Sequence, residues 1–565
     1  MMELALTAEF RPNEFPSASR EQWRELVDAV LRKTGASFDS LVTKTYDGIE
    51  LQPLYTLDDA LEPYALAPVK QGWDIRQRHA VPDPVSLMND LEGGVTSLWL
   101  AVPATSLERL LDGVYLDLAP IVLDGSVDAA RTMLRIYDQA PVLPADVRGN
   151  LALTPSGEAL DVIRQARAEF PGLRTVVVDA LPFHDAGGSD SEELGASLAL
   201  AVSYLRALTG AGFSAADAFA QLEFRFAATA DQFTTIAKLR AARRLWARVA
   251  EVSGVSDAVQ VQHAVTSSAM MTRRDPWVNM LRTTVACLAA GLGGADAVTV
   301  QPFDAAIGLP DEFARRIARN TQNLLLEESH LGEVIDPAAG SWYVEQLTDQ
   351  LAAAAWTWFR EIERAGGIGE ARALVASRIA ATWEARSARL ADRSDPITGV
   401  SEFPNLGEKP VVRDPAPAVE GELPRVRYAQ AFEELRDLAD AQPERPQVFL
   451  ATLGPIAAHT ARATFAANLF NAGGFATPNA GATRSAEEVA EKFQESGARV
   501  AVLCGSDTSY ADQAVPTVEA LRKAGAERVL LAGKKTEADV DGFVFMGCPA
   551  LEILTNTYDF LGVER

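Results

Sequence analysis

Five histidines and three cysteines are the residues of this chain best suited to hold a metal, move a proton or act as a nucleophile. The cysteines, Cys287, Cys504 and Cys548, lie far apart and form no Cys-x-x-Cys pair. That spacing argues against a zinc site and a disulfide framework, and it suits a reducing cytoplasm. His459 opens a helical stretch behind the strand-like run VFLATL (448–453). Ligands of open α/β sheets bind at the carboxyl ends of strands, so the loop 454–459 is where one is expected. His263 lies on the strand-like run AVQVQHAV (258–265), where a satisfied core histidine is the simplest reading. His79 and His330 have no charged neighbour at a telling spacing. Gly293-Gly294 has the look of a phosphate turn, but a lone glycine pair reads better as a helix–strand connection. Arg273-Arg274 reads as a solvated loop pair.

The elements that must position these residues form two blocks. A length of 565 residues is too much for one core. Residues 1–35 precede the first block. Ser17-Ala-Ser-Arg-Glu resembles a helix start, with Trp23, Leu26, Val27, Val30 and Leu31 at helical spacing behind it. Such a helix either packs on its own domain or reaches across to a partner. From 36 to 395, strand-like runs alternate with amphipathic helices. The runs include 98–102, VYLDLA (114–119), 174–180, 222–228, 258–265 and 296–303; the helices include 190–208, 232–252 and 310–326. This alternation predicts a (β/α)8 TIM barrel, with an open doubly wound sheet as the alternative. Residues 396–446 are rich in proline and charge, with one short helix at 428–440, and read as a linker draped over the surface. Residues 447–565 alternate again and predict a small flavodoxin-like domain.

A formal net charge of −25 argues against nucleic acid as a partner. An anionic ligand would need a local basic pocket, about which net charge says nothing. No run of apolar residues is long enough to predict a membrane span. The start, MMELALTAEFRPNEF, has no basic stretch ahead of an apolar core, so no secretory signal is expected and a cytoplasmic location is.

Three segments carry a family resemblance: GLGGADAVTVQPFDAA (291–306), RIARNTQNLLLEES (316–329) and VIDPAAGSWYVE (334–345). With LVTKTYDGIELQPLYT (41–56) and GWDIRQR (72–78), they resemble the barrel domain of the methylmalonyl-CoA mutase family. The order of barrel, linker and flavodoxin-like domain also resembles that family, over roughly residues 36–565. The resemblance implies an isomerase that interconverts methylmalonyl-CoA and succinyl-CoA by radical chemistry on adenosylcobalamin.

Position by position, the chain resembles the small (beta), non-catalytic subunits of the heterodimeric bacterial enzymes. The family's cobalamin signature is Asp-x-His-x-x-Gly; here it reads Ala457-Ala458-His459-Thr460-Ala461-Arg462. The histidine is in register. The carboxylate that would orient it is Ala457, and the glycine that would let the corrin approach is Arg462. The lysine before the motif falls on Thr452-Leu453, the Ser-x-Leu loop on Ser506-Asp507-Thr508, and a Gly-Gly pair on Gly533-Lys534-Lys535. In the barrel, the substrate-contacting tyrosine falls on Arg78, and LWLAVPATS (98–106) lacks the family's polar set. The segment with the carboxylate-binding arginine is lost or shortened between 106 and 150. The substrate-polarising histidine falls on Pro182, and His184 replaces it only if the loop is two residues shorter. At His263 the flanking polar residues of the family's Arg-x-His-x-Gln pattern are Val261 and Val265.

What the resemblance implies is therefore a chain with no catalytic residue, no metal ligand and a degenerate cofactor motif at Ala457, His459 and Arg462. Adenosylcobalamin is expected on the large (alpha) subunit of a heterodimer. Turn residues and apolar patterns look intact while polar site positions are lost, so a large apolar interface to a catalytic sibling is expected. The rival expectations are an active mutase that binds cobalamin without a protein histidine, a regulatory acyl-CoA-binding partner, and a scaffold for other proteins.

Overall fold

The computed structural model describes residues 18–62, 72–256, 258–419 and 421–563. Its first sheet contains β1 (Asp74–His79), β2 (Ser97–Leu100), β3 (Ile121–Leu123) and β4 (Gly149–Asn150). β5 follows in two pieces, Leu173–Arg174 and Val176–Asp179, then β6 (Leu222–Ala228), β7 (Val261–Thr266) and β8 (Ala297–Thr299). Every neighbouring pair is parallel, and β8 pairs back onto β1. One piece of β5 pairs with β4 and the other with β6, so the sheet closes into a TIM-like barrel. The break falls at Thr175, whose hydroxyl donates to the Gln221 side chain at 2.8 Å.

The period-two rule decides which side chains fill this barrel. On β6, Leu222, Phe224 and Phe226 join the apolar layer under the helices, and Phe224 packs 4.8 Å from Trp246. Glu223 and Arg225 alternate with them and point inward. Arg76 on β1 pairs with Glu223 on β6, strands that are not neighbours, so the pair crosses the interior. Burial would raise the Glu223 carboxyl, but the charge and hydrogen bond of Arg76 outweigh it and hold the group below its usual range. TIM barrels are more often filled by branched apolar side chains. Outside the barrel, helices Asp190–Gly210, Gln232–Val252 and Trp342–Arg364 pack together as a thick apolar wall.

One expected strand is corrected. VYLDLA (114–119) forms turns, with Tyr115 and Leu118 exposed, and the strand is the shorter apolar run Ile121–Leu123. Alternation misled because the segment buries Leu116 and Ala119, three residues apart, while Tyr115, Asp117 and Leu118 face outward: a turn spacing, not a strand's. Among the described residues, no helix is long and apolar enough to cross a membrane.

The second sheet holds β9 (Val448–Thr452), β10 (Val500–Cys504), β11 (Arg528–Ala532) and β12 (Gly542–Val544), parallel and in that spatial order. Residues 476–480 line the free edge of β9 through parallel bridges at Gln447 and Leu450. Val448 and Leu450 face one apolar cluster with helices Ile456–Ala472 and Ala550–Leu561. Phe449 and Ala451 face the other, with helices Ala486–Ser496 and Asp507–Lys523. Between the sheets, residues 412–419 and 421–427 do not simply drape the surface: they cross the carboxyl-end mouth of the barrel.

Candidate functional site

β9 ends at Thr452, and the turn passes through Gly454, whose φ of 76° favours glycine. Pro455 caps the next helix, which begins at Ile456 rather than 459. The expected ligand loop is therefore a three-residue turn, and His459 lies inside the first helical turn. It is buried, and both ring nitrogens lack a hydrogen-bond partner among the described residues. It is therefore neither a solvated nor a locally bonded helix-start imidazole, and burial lowers its pKa.

One turn on, the Arg462 guanidinium donates to the Gly505 carbonyl at 2.7 Å and to Asp507 at 2.5 Å. It lies 4.8 Å over the Tyr510 ring. Its Cζ sits 3.7 Å from where a Cβ on Gly533 would be. The Tyr510 hydroxyl accepts from the Gly505 N–H at 3.1 Å and faces the carbonyls of Leu503 (3.0 Å) and Ala532 (2.7 Å). Arg462, on the helix that follows β9, and Tyr510 thus fill the carboxyl ends of β10 and β11. Burial pushes the Tyr510 phenol up to about 12, so it stays a neutral structural group. Sequence reasoning missed Tyr510; the available signal was an aromatic in the first turn of the helix capped by Ser506, whose hydroxyl accepts from the Ser509 N–H.

The barrel mouth is built differently. It holds a cavity of about 1200 Å3, bounded below by strand ends and above by residues 412–419 and 421–427. At its floor, Trp99 is flanked by two guanidiniums, Arg225 at 4.0 Å and Arg78 at 5.0 Å from the ring. Arg225 pairs with Asp179 at 2.8 Å, and Asp124 lies 3.5 Å from both Arg78 and Arg225. Each floor cation therefore has a carboxylate beside it. Among the described residues, none beyond Arg427 lines this cavity, so the β9–β12 sheet takes no part in it.

Pro182 lines the cavity, whereas His184 does not. The His184 Nε2 is 2.6 Å from the Ser267 hydroxyl, and its Nδ1 is 3.7 Å from Glu193. Behind it Lys238, fully buried, bridges Glu193 (2.7 Å) and Asp190 (2.8 Å). Burial, helped by the Lys238 charge, drives His184 down to about 3 and keeps it neutral. Burial raises Glu193 to about 7 against the pull of Lys238. His263 is a satisfied interior group, bonded to Thr299 at 2.7 Å and to Arg225 at 3.4 Å. His79 does have a carboxylate: Asp90, 3.5 Å away on helix Pro84–Glu92. Burial, then Arg315, lowers it to about 4. His330 pairs with Glu333 at the surface.

Arg273-Arg274 is a further correction. The pair binds the linker helix Gln430–Asp440: Arg274 reaches Asp437 at 2.6 Å and Asp440 at 2.7 Å, and Arg273 reaches Glu433. It staples the barrel to that helix rather than standing in solvent. Gly293-Gly294 is the helix–strand connection expected, its carbonyls accepting from Arg243.

Fold and site together define a two-module α/β chain: a TIM-like barrel with a covered mouth, and a parallel-sheet domain with a filled strand-end crevice. Residues 150–477 match the family described as methylmalonyl-CoA mutase. The methylmalonyl-CoA mutase small subunit of Streptomyces virginiae is 56% identical, covering 97% of this chain and 98% of its own length. That of Propionibacterium freudenreichii subsp. shermanii is 36% identical over 98% and 96%. The methylmalonyl-CoA mutase of Escherichia coli is 29% identical over 68% and 64%. The chain belongs to the methylmalonyl-CoA mutase family, and over nearly its whole length it resembles the proteins named as small subunits.

Proposed function

We propose that this chain is the non-catalytic small subunit of an adenosylcobalamin-dependent methylmalonyl-CoA mutase. Its cytoplasmic partner, a large subunit, carries the cofactor and the active site. The observation that carries the reading is the Arg462–Tyr510 pair, Arg462 set on the helix that follows β9 and the two bonded across the ends of β10 and β11. In the 2-1-3-4-5 strand order of a flavodoxin-like sheet, which residues 476–480 and β9–β12 follow, that crevice is the ligand position. The groups there fit a corrin poorly. A ligating imidazole needs an outer partner to fix its tautomer, and Ala457 offers none. His459 is held in a helical turn, and Arg462 fills the approach that a glycine would leave open.

The barrel supports the same reading. A mutase active site needs the barrel mouth and the cofactor domain to share one water-excluded space. Here residues 412–419 and 421–427 lie over the mouth, and the cavity has no lining from the second sheet. The partner is supported by helix Arg20–Thr34, which buries none of its residues and exposes Leu26 and Val30. An isolated helix of this length is marginal in water, so a covering surface is expected.

The test is adenosylcobalamin titration and turnover of methylmalonyl-CoA, for the chain alone and after co-expression with a large subunit. The chain alone neither binds nor turns over; the pair does both. Saturable cofactor binding with turnover by the isolated chain would overturn the reading.

A further inference from the structure

The cavity in the barrel mouth is larger than most small-molecule pockets, which run to roughly 1,000 Å3, yet its cover is fastened unevenly. At one side, Arg413 pairs with Asp304 at 2.5 Å and with Asp311 at 2.7 Å, and Asp304 is fully buried. The Leu309 N–H donates to the Asp414 carbonyl at 2.8 Å and continues that fastening. At the other side, the Val426 N–H donates to the Asp185 carbonyl at 2.8 Å, and the Tyr428 N–H to that of Ala269 at 2.9 Å. Both ends are thus anchored by backbone bonds and buried groups.

The short stretch Gly421 to Arg425 is held otherwise: by the half-buried Leu423, packed against the barrel core, and by exposed polar ties. Pro424 has no N–H to give. Glu422 pairs with Arg372, and both are well exposed. Arg425 reaches over the mouth to Asp185 at 2.9 Å and donates to the Ser268 hydroxyl at 3.1 Å. Its side chain is 44% exposed, whereas Asp185 is only 10% exposed. A half-exposed guanidinium is a weak, salt-sensitive tie. The Arg413–Asp304 tie is shielded and resists both.

We propose that residues 421–425 form a gate over a preformed chamber in the barrel mouth, with Arg425 as its releasable latch on Asp185 and Ser268. Release of the latch opens the chamber while Asp414 and Val426 stay anchored.

The experiment is a thiol-accessibility assay. Cys287, Cys504 and Cys548 are all buried, so an added thiol reports alone. Ala101, at the end of β2, lines the chamber, and Ala101→Cys puts a sulfur inside it. Iodoacetamide labels that thiol slowly. Adding Arg425→Ala speeds labelling about fivefold, the upper end for losing a half-exposed ion pair. Adding Arg372→Ala, which breaks the other exposed tie, leaves the rate within about twofold, as expected for a surface pair. High salt on the Ala101→Cys chain alone also raises the rate, so the proposal can be judged without any change to the latch. It is overturned if Arg425→Ala and high salt both leave the rate unchanged, or if the thiol is labelled at the rate of a surface cysteine with the latch intact.

Discussion

The barrel mouth and the β9–β11 crevice are the same kind of place: each lies at the carboxyl ends of parallel strands, where α/β folds hold ligands. They differ in what has become of the space. The mouth keeps about 1200 Å3, pairs its floor cations Arg78 and Arg225 with Asp124 and Asp179, and lies under a linker. The crevice is filled from within by Arg462 and Tyr510, which tie strand ends together. A strand-end site can thus be closed by covering it or by filling it. Covering leaves the room intact, whereas filling turns the site residues into structural ones.

The difference is sharpest in stability. Arg76→Met strips the buried Glu223 carboxylate of its partner inside the barrel and costs about 4 kcal/mol in urea unfolding. A loss under about 1 kcal/mol would mean that the interior charge is hydrated and the barrel is wetter than its packing indicates.

Next in size is a pH effect confined to the barrel. His79 is held neutral, its pKa lowered to about 4, so between that value and 6.5 the unfolded chain binds the extra proton. Stability therefore rises with pH through this window and is lost as pH falls through it. The contribution is at most about 3 kcal/mol. His79→Gln, followed by denaturant melts from pH 7 to 4, should flatten part of the acid loss; an unchanged slope would remove His79 from the account.

In the crevice, Tyr510→Phe removes the hydroxyl that serves Gly505, Leu503 and Ala532 and costs about 2 kcal/mol. Arg462→Ala costs less, about 1 kcal/mol, because its partner Asp507 is largely exposed. If Arg462→Ala were as damaging as Arg76→Met, the contrast between a dry charged barrel and a filled, half-open crevice would fail.

Much of this was legible in the sequence. The β/α alternation foretold the barrel, and β9 (Val448–Thr452) stands where the apolar run 448–453 is. The replacement of glycine by Arg462 was readable as lost space. Its partner Tyr510 was not, because a tyrosine in a first helical turn says nothing of which strands its hydroxyl will bridge. Arg273-Arg274 was misread for a related reason: the carboxylates that hold it, Glu433, Asp437 and Asp440, come about 160 residues later. The π-helical turn Leu324–Glu328, the short strands β3 and β4, and the course of 412–419 and 421–427 over the mouth are likewise set by tertiary contacts that periodicity does not carry.

The most direct measurement is the number of adenosylcobalamin equivalents bound per reconstituted heterodimer, counted by absorbance after removal of free cofactor. One equivalent, unchanged when His459→Ala is introduced in this chain, is the predicted result. Two equivalents, or one that is lost with His459→Ala, would contradict the account and make this chain a cofactor-binding subunit.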